Sequence, residues 1–236
     1  LLDFVYVDIA TDVVKALNMA GYIVEMPLGQ ACCGAPATYM GDVENAKKAA
    51  EMNLNAMEAE KYDYIVSACP TCTHALRDYV DFFKDDPEML KKAEALRSKT
   101  FDFCKLVSML GGLPDTGDGV PMKVTYHDSC HLNRYLGVTK EQRELLKATK
   151  GVELIEMHDC DKCCGFGGSY SVKFPEMSAP ILEEKINNIV ASGADVVAVD
   201  CPGCLLQIRG GLDARGLNNI QVKHTAQIVV EKREKK

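Results

Sequence analysis

A pattern of five cysteines in the second half of the chain restricts what this sequence can fold into. The single Cys130 is followed by Cys163-Cys164-Gly165 and then by Cys201-Pro-Gly-Cys204. An earlier stretch repeats most of this order, with Cys32-Cys33-Gly34 followed by Cys69-Pro-Thr-Cys72. Cysteines that only fill a core show no regular spacing, so two near-copies of one pattern indicate metal-ligation chemistry.

Composition and charge limit the compartment and the partners. Eleven cysteines are an odd number in a chain of 236 residues, which is long enough to fold without disulfides. Reduced thiols in a cytoplasmic, low-oxygen setting therefore fit better than a secreted scaffold. The formal net charge of −7 argues against nucleic acid as a partner, because binding phosphates requires a basic surface. The sequence has no run of eighteen apolar residues, so we expect no membrane span.

Predicted strands and helices alternate along both halves of the chain. Short strands are predicted at residues 22–26, 62–68, 100–103, 122–126, 152–157, 195–199 and 220–223. One helix is predicted from Thr73 to about Leu96. Such alternation is typical of parallel sheets flanked by helices. We therefore expect an α/β protein with two pseudo-repeated halves, each a small parallel sheet flanked by helices.

The clearest break in the chain is the stretch 111–119, which holds four glycines, one proline and two aspartates. We place the boundary between the halves there. The first half is predicted to span residues 1–112, the linker residues 113–120, and the second half residues 121–236.

The two halves align at a nearly constant offset of about 130 residues, for example Cys69 with Cys201. At this offset the counterpart of Cys130 falls just before Leu1. We therefore expect that the chain is a piece of a longer protein and that its first half is truncated, without its leading cysteine.

In the second half, each set of cysteines follows a predicted strand. Cys130 comes after the first strand, Cys163-Cys164 after the second, and Cys201-Pro-Gly-Cys204 after the third. The carboxyl ends of parallel strands lie at one edge of a sheet, where ligand sites form. Thiols that are remote in sequence are therefore expected to meet at that edge.

Converging thiolates select iron–sulfur clusters, zinc or cuprous copper. Zinc is satisfied by four ligands, so a fifth cysteine would be surplus. A cluster with several irons can use adjacent thiols on different metals. The spacing therefore favours iron–sulfur and leaves zinc as the alternative. A third interpretation makes the two CxxC segments thioredoxin-type dithiols, but it leaves the paired cysteines unexplained.

Residues near the cysteines have two interpretations each. His127 and His131 flank the single cysteine as outer hydrogen-bond donors or proton carriers, or they bond locally to the backbone. Phe166 either walls a cleft over the site or packs in the core. Cys160 is interpreted as a spare thiol, with a sixth ligand as the alternative, and Cys104 as a core residue.

Nearly the whole chain resembles the cysteine-rich CCG-domain family of iron–sulfur oxidoreductase subunits. This family includes B- and D-type heterodisulfide reductase subunits and the iron–sulfur subunits of lactate and glycolate oxidation systems. The resemblance rests on both cysteine patterns and on the runs 127–132, 151–157 and 164–176. The last run is most similar to the lactate and glycolate branch.

The resemblance implies that a complete pattern holds a noncubane [4Fe-4S] cluster, with zinc as the alternative in one site. The implied cofactor-binding residues of the second half are Cys130, Cys163, Cys164, Cys201 and Cys204. The first half offers four matching metal ligands, which are Cys32, Cys33, Cys69 and Cys72. The resemblance assigns no catalytic residue.

The same resemblance implies an electron-transfer or catalytic iron–sulfur subunit of a multi-subunit oxidoreductase that oxidises a 2-hydroxy acid such as lactate or glycolate. The expected partners are a flavoprotein dehydrogenase or other redox subunits, and a membrane quinone-reactive subunit. The chain would then be cytoplasmic or held at the membrane by its partners, and inactive alone. Disulfide reduction of the heterodisulfide reductase type and a zinc-bound docking module are the alternatives.

Overall fold

Two parallel sheets, one from each half of the chain, form the framework of the molecule. The computed structural model describes residue 2, residues 4–114 and residues 119–233. The first sheet pairs β1 (Ile65–Ser67) with β2 (Thr100–Asp102). The second sheet contains β3 (Met122–His127), β4 (Val152–Leu154), β5 (Val196–Val199) and β6 (Gln221–Lys223). The α/β class with two small parallel sheets is thus confirmed.

Helices flank both sheets. The first half contains α1 (Val7–Met19), α2 (Ala35–Tyr39), α3 (Val43–Met57), α4 (Pro70–Asp78), α5 (Pro87–Lys99) and α6 (Phe103–Met109). The second half contains α7 (Glu141–Lys147), α8 (Tyr170–Lys173), α9 (Pro175–Ser192), α10 (Pro202–Ala214) and α11 (Thr225–Arg233). A short π-helical turn, His131–Tyr135, follows β3. In the part of the chain that the structure describes, no helix combines the length and the apolar character needed to cross a bilayer.

Side-chain caps set the first residue of several helices. The carboxylates of Asp42, Asp86 and Asp102 each accept a hydrogen bond from a backbone N–H in the first turn of α3, α5 and α6, respectively. Such caps satisfy N–H groups that have no partner within the helix. At the other end of α9, Gly193 adopts a φ of +68° and ends the helix.

The second sheet has the order β4-β3-β5-β6, and all its strands are parallel. From β3 the chain moves to one side to form β4, and from β5 it moves to the other side to form β6. The order therefore reverses between β3 and β5, whose last residues, His127 and Val199, are paired. In open parallel sheets, ligands bind in the crevice outside the strand ends at such a reversal.

Apolar side chains cover both faces of this sheet. On one face, Leu146 of α7 and Ile228 of α11 pack with Val124 of β3. On the other face, Ile186 of α9 packs in the same cluster as Val197 of β5. The sheet thus lies between two layers of helices, as an α/β fold requires.

The largest apolar cluster includes residues from both predicted halves. Ile9 of α1 and Phe103 of α6 belong to the same buried cluster as Val199 of β5 and Val229 of α11. A second cluster, which includes Leu54 and Phe83, lies within the first half. The division into residues 1–112, 113–120 and 121–236 stays a prediction, and residues 115–118 of the linker lie outside the described ranges.

The strand predicted at residues 22–26 is wrong, because these residues have no regular structure. Their counterpart in the second half is β4, whose only partner strand is β3. Among the described residues, no strand occupies the corresponding place beside residues 22–26. Because a strand exists only through its ladder of backbone hydrogen bonds, alternating apolar residues alone do not form one.

The single helix predicted from Thr73 to Leu96 is also wrong. The chain forms α4, a 3₁₀ turn at Tyr79–Phe82, and then α5. The restart comes from Asp86, whose side chain caps α5, and from Pro87 at its first position. Proline has no backbone N–H to donate and disfavours a helical residue before it, so it begins a new helix here.

Candidate metal centre

Nine cysteines form the candidate centre; seven of them follow a strand of the two sheets, whereas Cys32 and Cys33 follow a segment without regular structure. We call Cys32, Cys33, Cys69 and Cys72 the first cysteine group. We call Cys130, Cys163, Cys164, Cys201 and Cys204 the second cysteine group. The structure shows all of these cysteines as free thiols.

Both CxxC segments begin a helix directly after a strand. Cys69 is the N-cap of α4 and Cys201 is the N-cap of α10, with proline at the next position in each case. Cys72 and Cys204 then lie in the first turn of the same helices. Residues three apart share one helix face, and the N-terminal backbone N–H groups favour negative charge. This geometry therefore presents the two thiols of each segment together, beside the N-terminal N–H groups of the helix.

Both Cys-Cys-Gly segments form similar turns. Gly34 and Gly165 have φ values of +79° and +84°, in the left-handed region that favours glycine. At Gly165 a Cβ atom would lie 2.8 Å from the backbone oxygen of Ser178, so no larger residue fits. The N–H of Gly165 donates to the Sγ of Cys163 at 3.3 Å. The glycine therefore brings both the helix and a hydrogen-bond donor close to the thiols.

Thiol–thiol contacts connect the two cysteine groups. Cys33 interacts with Cys32 and Cys72, and Cys72 also interacts with Cys69. Between the two groups, Cys69 interacts with Cys201. From there the chain of contacts continues in the order Cys201, Cys204, Cys164 and Cys163. Eight thiols thus form one continuous series, with exposed Cys32 and Cys163 at its ends and buried thiols in its middle.

Three thiols of this series have lowered pKa values and the other five have raised ones. The pKa of Cys33 is lowered to about 3 by hydrogen bonds from the thiols of Cys32 and Cys72. Hydrogen bonds from two thiols likewise hold the pKa values of Cys164 and Cys201 well below the usual range. The donating thiols have raised pKa values, first because their protons are held in these bonds and then because of burial. They are Cys32, Cys69, Cys72, Cys163 and Cys204.

This clustering is unfavourable for thiols alone. Buried thiolates in contact repel one another, and burial opposes their charge. A bound cation removes both costs, because thiolates are soft ligands and ligation releases their protons. The donor set therefore fits a metal or an iron–sulfur group.

Cys130 lies at the edge of the second cysteine group. It is half-buried, and its Sγ is 3.6 Å from the Nδ1 atom of His131. Burial raises the pKa of Cys130, and the charges of Cys201 and Cys164 raise it further. Cys130 is thus close enough to interact electrostatically with the other thiols, although it follows a different strand.

Two further thiols differ in their surroundings. Cys104 is buried in the main core, with its Sγ 3.6 Å from a carboxylate oxygen of Asp200. Cys160 is half-buried and donates to Asp128 at 3.4 Å. The prediction that Cys104 is a core residue is confirmed, and Cys160 serves a polar network and not the thiol series.

Arg143 of α7 is the centre of that polar network. Its guanidinium donates two hydrogen bonds to Asp128, at 2.9 and 3.0 Å, and two to Glu156, at 2.6 and 3.0 Å. It also contacts the Sγ of Cys160 at 3.4 Å. Since Asp128 precedes Cys130 and Glu156 begins the loop to Cys163, Arg143 ties together the two segments that carry these ligands. No sequence spacing indicates this role, because the three partners come from different elements.

A buried acidic pair lies beneath the cysteines. Asp200 precedes Cys201 and accepts a hydrogen bond of 2.5 Å from the hydroxyl of Tyr126. Burial, and then the charge of Asp200, raises the pKa of Asp102 to about 7. The Oδ2 atom of Asp102 has no hydrogen-bond partner among the described residues. No sequence feature assigns these two acids to the site, because an aspartate before a helix is typical of an ordinary helix cap.

Aromatic and imidazole rings lie where the two cysteine groups meet. The hydroxyl of Tyr39 is 2.8 Å from the Nε2 atom of His131, whose ring stacks on Tyr135 with centroids 5.2 Å apart. His74 packs against Tyr135 at 4.5 Å. These residues follow the cysteines closely in sequence and form the solvent side of the site. Phe166, by contrast, packs against the main core.

His127 lies inside the second cysteine group. Its ring and the Sγ atoms of Cys164 and Cys204 offer three ligand atoms within 4.8 Å of one another, and all three residues are buried. In the sequence His127 lies near Cys130, and the role of an outer hydrogen-bond donor or proton carrier is one of its two interpretations. The structure places it next to thiols that lie far away in sequence.

The fold and the site together define a cysteine-rich protein built for binding a metal or an iron–sulfur group. A family model described as "Cysteine-rich domain" (CCG) matches the chain twice, at residues 2–77 and 124–209. The chain belongs to this cysteine-rich CCG-domain family.

Several named proteins are similar to this chain over nearly the full length of both sequences. Lactate utilization protein A of Shouchella clausii is 39% identical over 98% of this chain and 96% of the relative. Lactate utilization protein A of Bacillus velezensis is 37% identical, and that of Bacillus subtilis is 36% identical. Each of these two matches covers 97% of this chain and 95% of the relative. The resemblance to the lactate branch of the family is thereby confirmed.

Proposed function

We propose that this chain is an iron–sulfur subunit of a multi-protein system that oxidises lactate. The observation that carries the proposal is the meeting of two cysteine groups in one series of thiol contacts at the reversal point of a parallel sheet. The choice of lactate as the substrate rests on the relatives named lactate utilization protein A, which are 36–39% identical over nearly the whole chain.

In this proposal the second cysteine group holds a [4Fe-4S] cluster, and the first group holds a second metal site. Thiolates are the ligands such clusters use. When bound, the cluster supplies one-electron transfer. The chain's own residues set the distance between the two groups through the contact of Cys69 with Cys201. They also tune the potential, since N–H groups such as that of Gly165 donate to ligand sulfur.

The partners follow from the chemistry. Oxidising a 2-hydroxy acid removes two electrons and two protons, which a flavin accepts together. We propose that a flavoprotein dehydrogenase takes the electrons from lactate and that this chain carries them singly toward a quinone or another acceptor. No residue of this chain is assigned to contact lactate.

Metal analysis of anaerobically purified protein tests the proposal. We expect iron and acid-labile sulfide in equal amounts, and an EPR signal after reduction. Stoichiometric zinc without sulfide would refute the redox role and would support a docking module.

The ligand assignment has its own test. Cys130→Ser should weaken the EPR signal of the second group and leave that of the first group. Cys160→Ser is the matched control, because Cys160 is a half-buried thiol of the same region that bonds to Asp128 and Arg143. Equal signals in both variants and the unmodified protein would remove Cys130 from the ligand set.

The substrate is tested by reconstitution. Lactate, added together with a flavoprotein lactate dehydrogenase, should reduce the clusters of this chain. Reduction by glycolate in place of lactate would indicate the glycolate branch of the family. Reduction that depends only on a disulfide substrate, with none from lactate, would replace the proposed function by the heterodisulfide reductase type.

A further inference from the structure

His127 ends β3, directly at the point where the order of the second sheet reverses. Its backbone pairs with Val199 of β5, and only 1% of its surface is exposed. The central strand of a sheet is the most rigid place from which a side chain can be presented. The imidazole is therefore held between the loop of Cys164 and the helix of Cys204.

Neither ring nitrogen of His127 has a nitrogen or oxygen hydrogen-bond partner among the described residues, and its ring interacts with the thiol of Cys164. A buried polar group without a partner is unfavourable and rare in folded proteins. The atoms near the ring are the Sγ atoms of Cys164 and Cys204, and the three ligand atoms lie within 4.8 Å of one another. A metal held by these three ligand atoms would give the buried ring a strong partner.

His224 shows that the fold can satisfy a buried histidine at a strand end. It follows β6 and is also 1% exposed. Its Nε2 atom lies 3.1 Å from the backbone oxygen of Ala68, and its Nδ1 atom accepts from the N–H of Ala226 at 3.1 Å. His224 thus has backbone partners for both ring nitrogens, whereas the ring of His127 lies among thiols.

We propose that His127 is a nitrogen ligand to the metal of the second cysteine group, shared with Cys164 and Cys204. Metal–nitrogen and metal–sulfur bonds of about 2.0 and 2.3 Å bring neighbouring donor atoms to within about 4 Å of each other, so only a small contraction is needed. Imidazole binds both iron and zinc. The proposal rests on the proposed function only in that this group holds a metal.

This ligand has a consequence for the redox properties. A neutral imidazole contributes less negative charge to the centre than a thiolate, and histidine ligation raises the reduction potential of iron–sulfur groups. The second centre would then accept electrons more readily than the same centre with a cysteine at position 127.

The test uses the full chain, purified anaerobically and labelled with ¹⁵N-histidine. Pulsed EPR on the reduced protein should detect a strongly coupled nitrogen, and X-ray absorption at the iron and zinc edges should detect a metal–nitrogen bond. In His127→Phe both signals should be lost. In His127→Cys the nitrogen should be replaced by sulfur, metal should be retained, and the reduction potential should fall.

Thr125→Val is the matched control. Thr125 lies two residues earlier on the same face of β3, is fully buried, and has a hydroxyl without a partner among the described residues. This variant should keep the nitrogen signal and the potential. Circular dichroism of each variant checks that the fold is intact, and His127→Cys carries the test if the phenylalanine variant does not fold.

Two results separate the failures. Metal bound without a directly coordinated nitrogen, or a nitrogen signal unchanged in His127→Phe, overturns the ligand and leaves the iron–sulfur function standing. Zinc alone, with a metal–nitrogen bond that is lost in His127→Phe, refutes the iron–sulfur function and keeps the ligand. A protein that binds no metal overturns both.

Discussion

Gly203, inside the second CxxC segment, lies against the ring of Phe166. A Cβ atom added at this glycine would be 2.6 and 2.7 Å from two ring carbons. Ordinary contacts of this kind begin near 3.4 Å, so the ring would have to move by about 1 Å within a packed core. We therefore predict that Gly203→Ala destabilises the protein, although alanine is the better helix former.

The expected size follows from two opposing terms. Overpacking a core costs about 1–3 kcal/mol. Replacing glycine by alanine within a helix returns about 1 kcal/mol. The net loss of unfolding free energy should therefore be up to about 2 kcal/mol. In the background of Phe166→Ala the obstacle is gone, so the same change should stabilise the protein by about 0.5–1 kcal/mol.

Urea unfolding of the four proteins of this double-mutant cycle, followed by circular dichroism, measures the coupling. Gly210→Ala is the matched control, because Gly210 lies in the same helix α10 and a Cβ atom there would meet nothing within 4 Å. That variant should gain stability. If Gly203→Ala gains as much as Gly210→Ala in the presence of Phe166, the packing argument is refuted.

The first half shows a different arrangement. At the positions that correspond to Phe166 and Gly203 it has Ala35 and Thr71. The ring of Phe166 and the glycine that faces it are thus particular to the second half.

Three further predictions concern the surroundings of the cysteines. Because the pKa of Asp102 is raised to about 7, its unfavourable charge should lower the stability of the protein as the pH rises from about 4 to 7. Asp102→Asn keeps the helix cap. Measured by urea midpoints, this variant should be more stable than the unmodified protein by up to about 4 kcal/mol at pH 8 and about equally stable at pH 4. Equal pH profiles for the two proteins would contradict this. Arg143→Ala should cost about 3 kcal/mol, because it leaves the carboxylate of Asp128 buried without its partner, and Arg143→Lys should recover only part of the loss in the same assay. Gly165→Ala should cost about 2–4 kcal/mol, from its left-handed backbone and its contact with Ser178; Gly193→Ala, with a similar φ and open space, should cost only about 1–2 kcal/mol, and equal losses would refute the contact.

The asymmetry between the two cysteine groups is visible in their surroundings. The second group lies at the reversal point of a four-stranded sheet and includes the buried ring of His127. The first group lies beside a two-stranded sheet. In the first group, the hydroxyl of Tyr79 donates a hydrogen bond of 3.0 Å to the backbone oxygen of Cys33. A tyrosine from a 3₁₀ turn therefore stabilises that loop. The two sites are therefore not equivalent, although their cysteine patterns are nearly the same.

The alternation of predicted strands and helices was sufficient to predict the α/β class and the parallel sheets, and the positions of the cysteines after strands predicted that thiols remote in sequence lie close together. These features follow from local chemistry: helix formers and β-branched residues alternate along the chain, and CxxC after a strand begins a helix. The predicted strand at residues 22–26 failed because pairing is not a local property. The predicted long helix from Thr73 failed because a proline signal was outweighed by helical composition.

The sequence by itself determined which residues carry soft ligands, since cysteine chemistry and spacing need no fold to be recognised. Only the tertiary structure decided that Cys69 contacts Cys201, that Arg143 joins two ligand loops, and that His127 faces Cys164 and Cys204. The reason is physical. Such contacts depend on the order of strands in a sheet and on the packing of helices across it, and these bring together residues whose separation in sequence carries no signal.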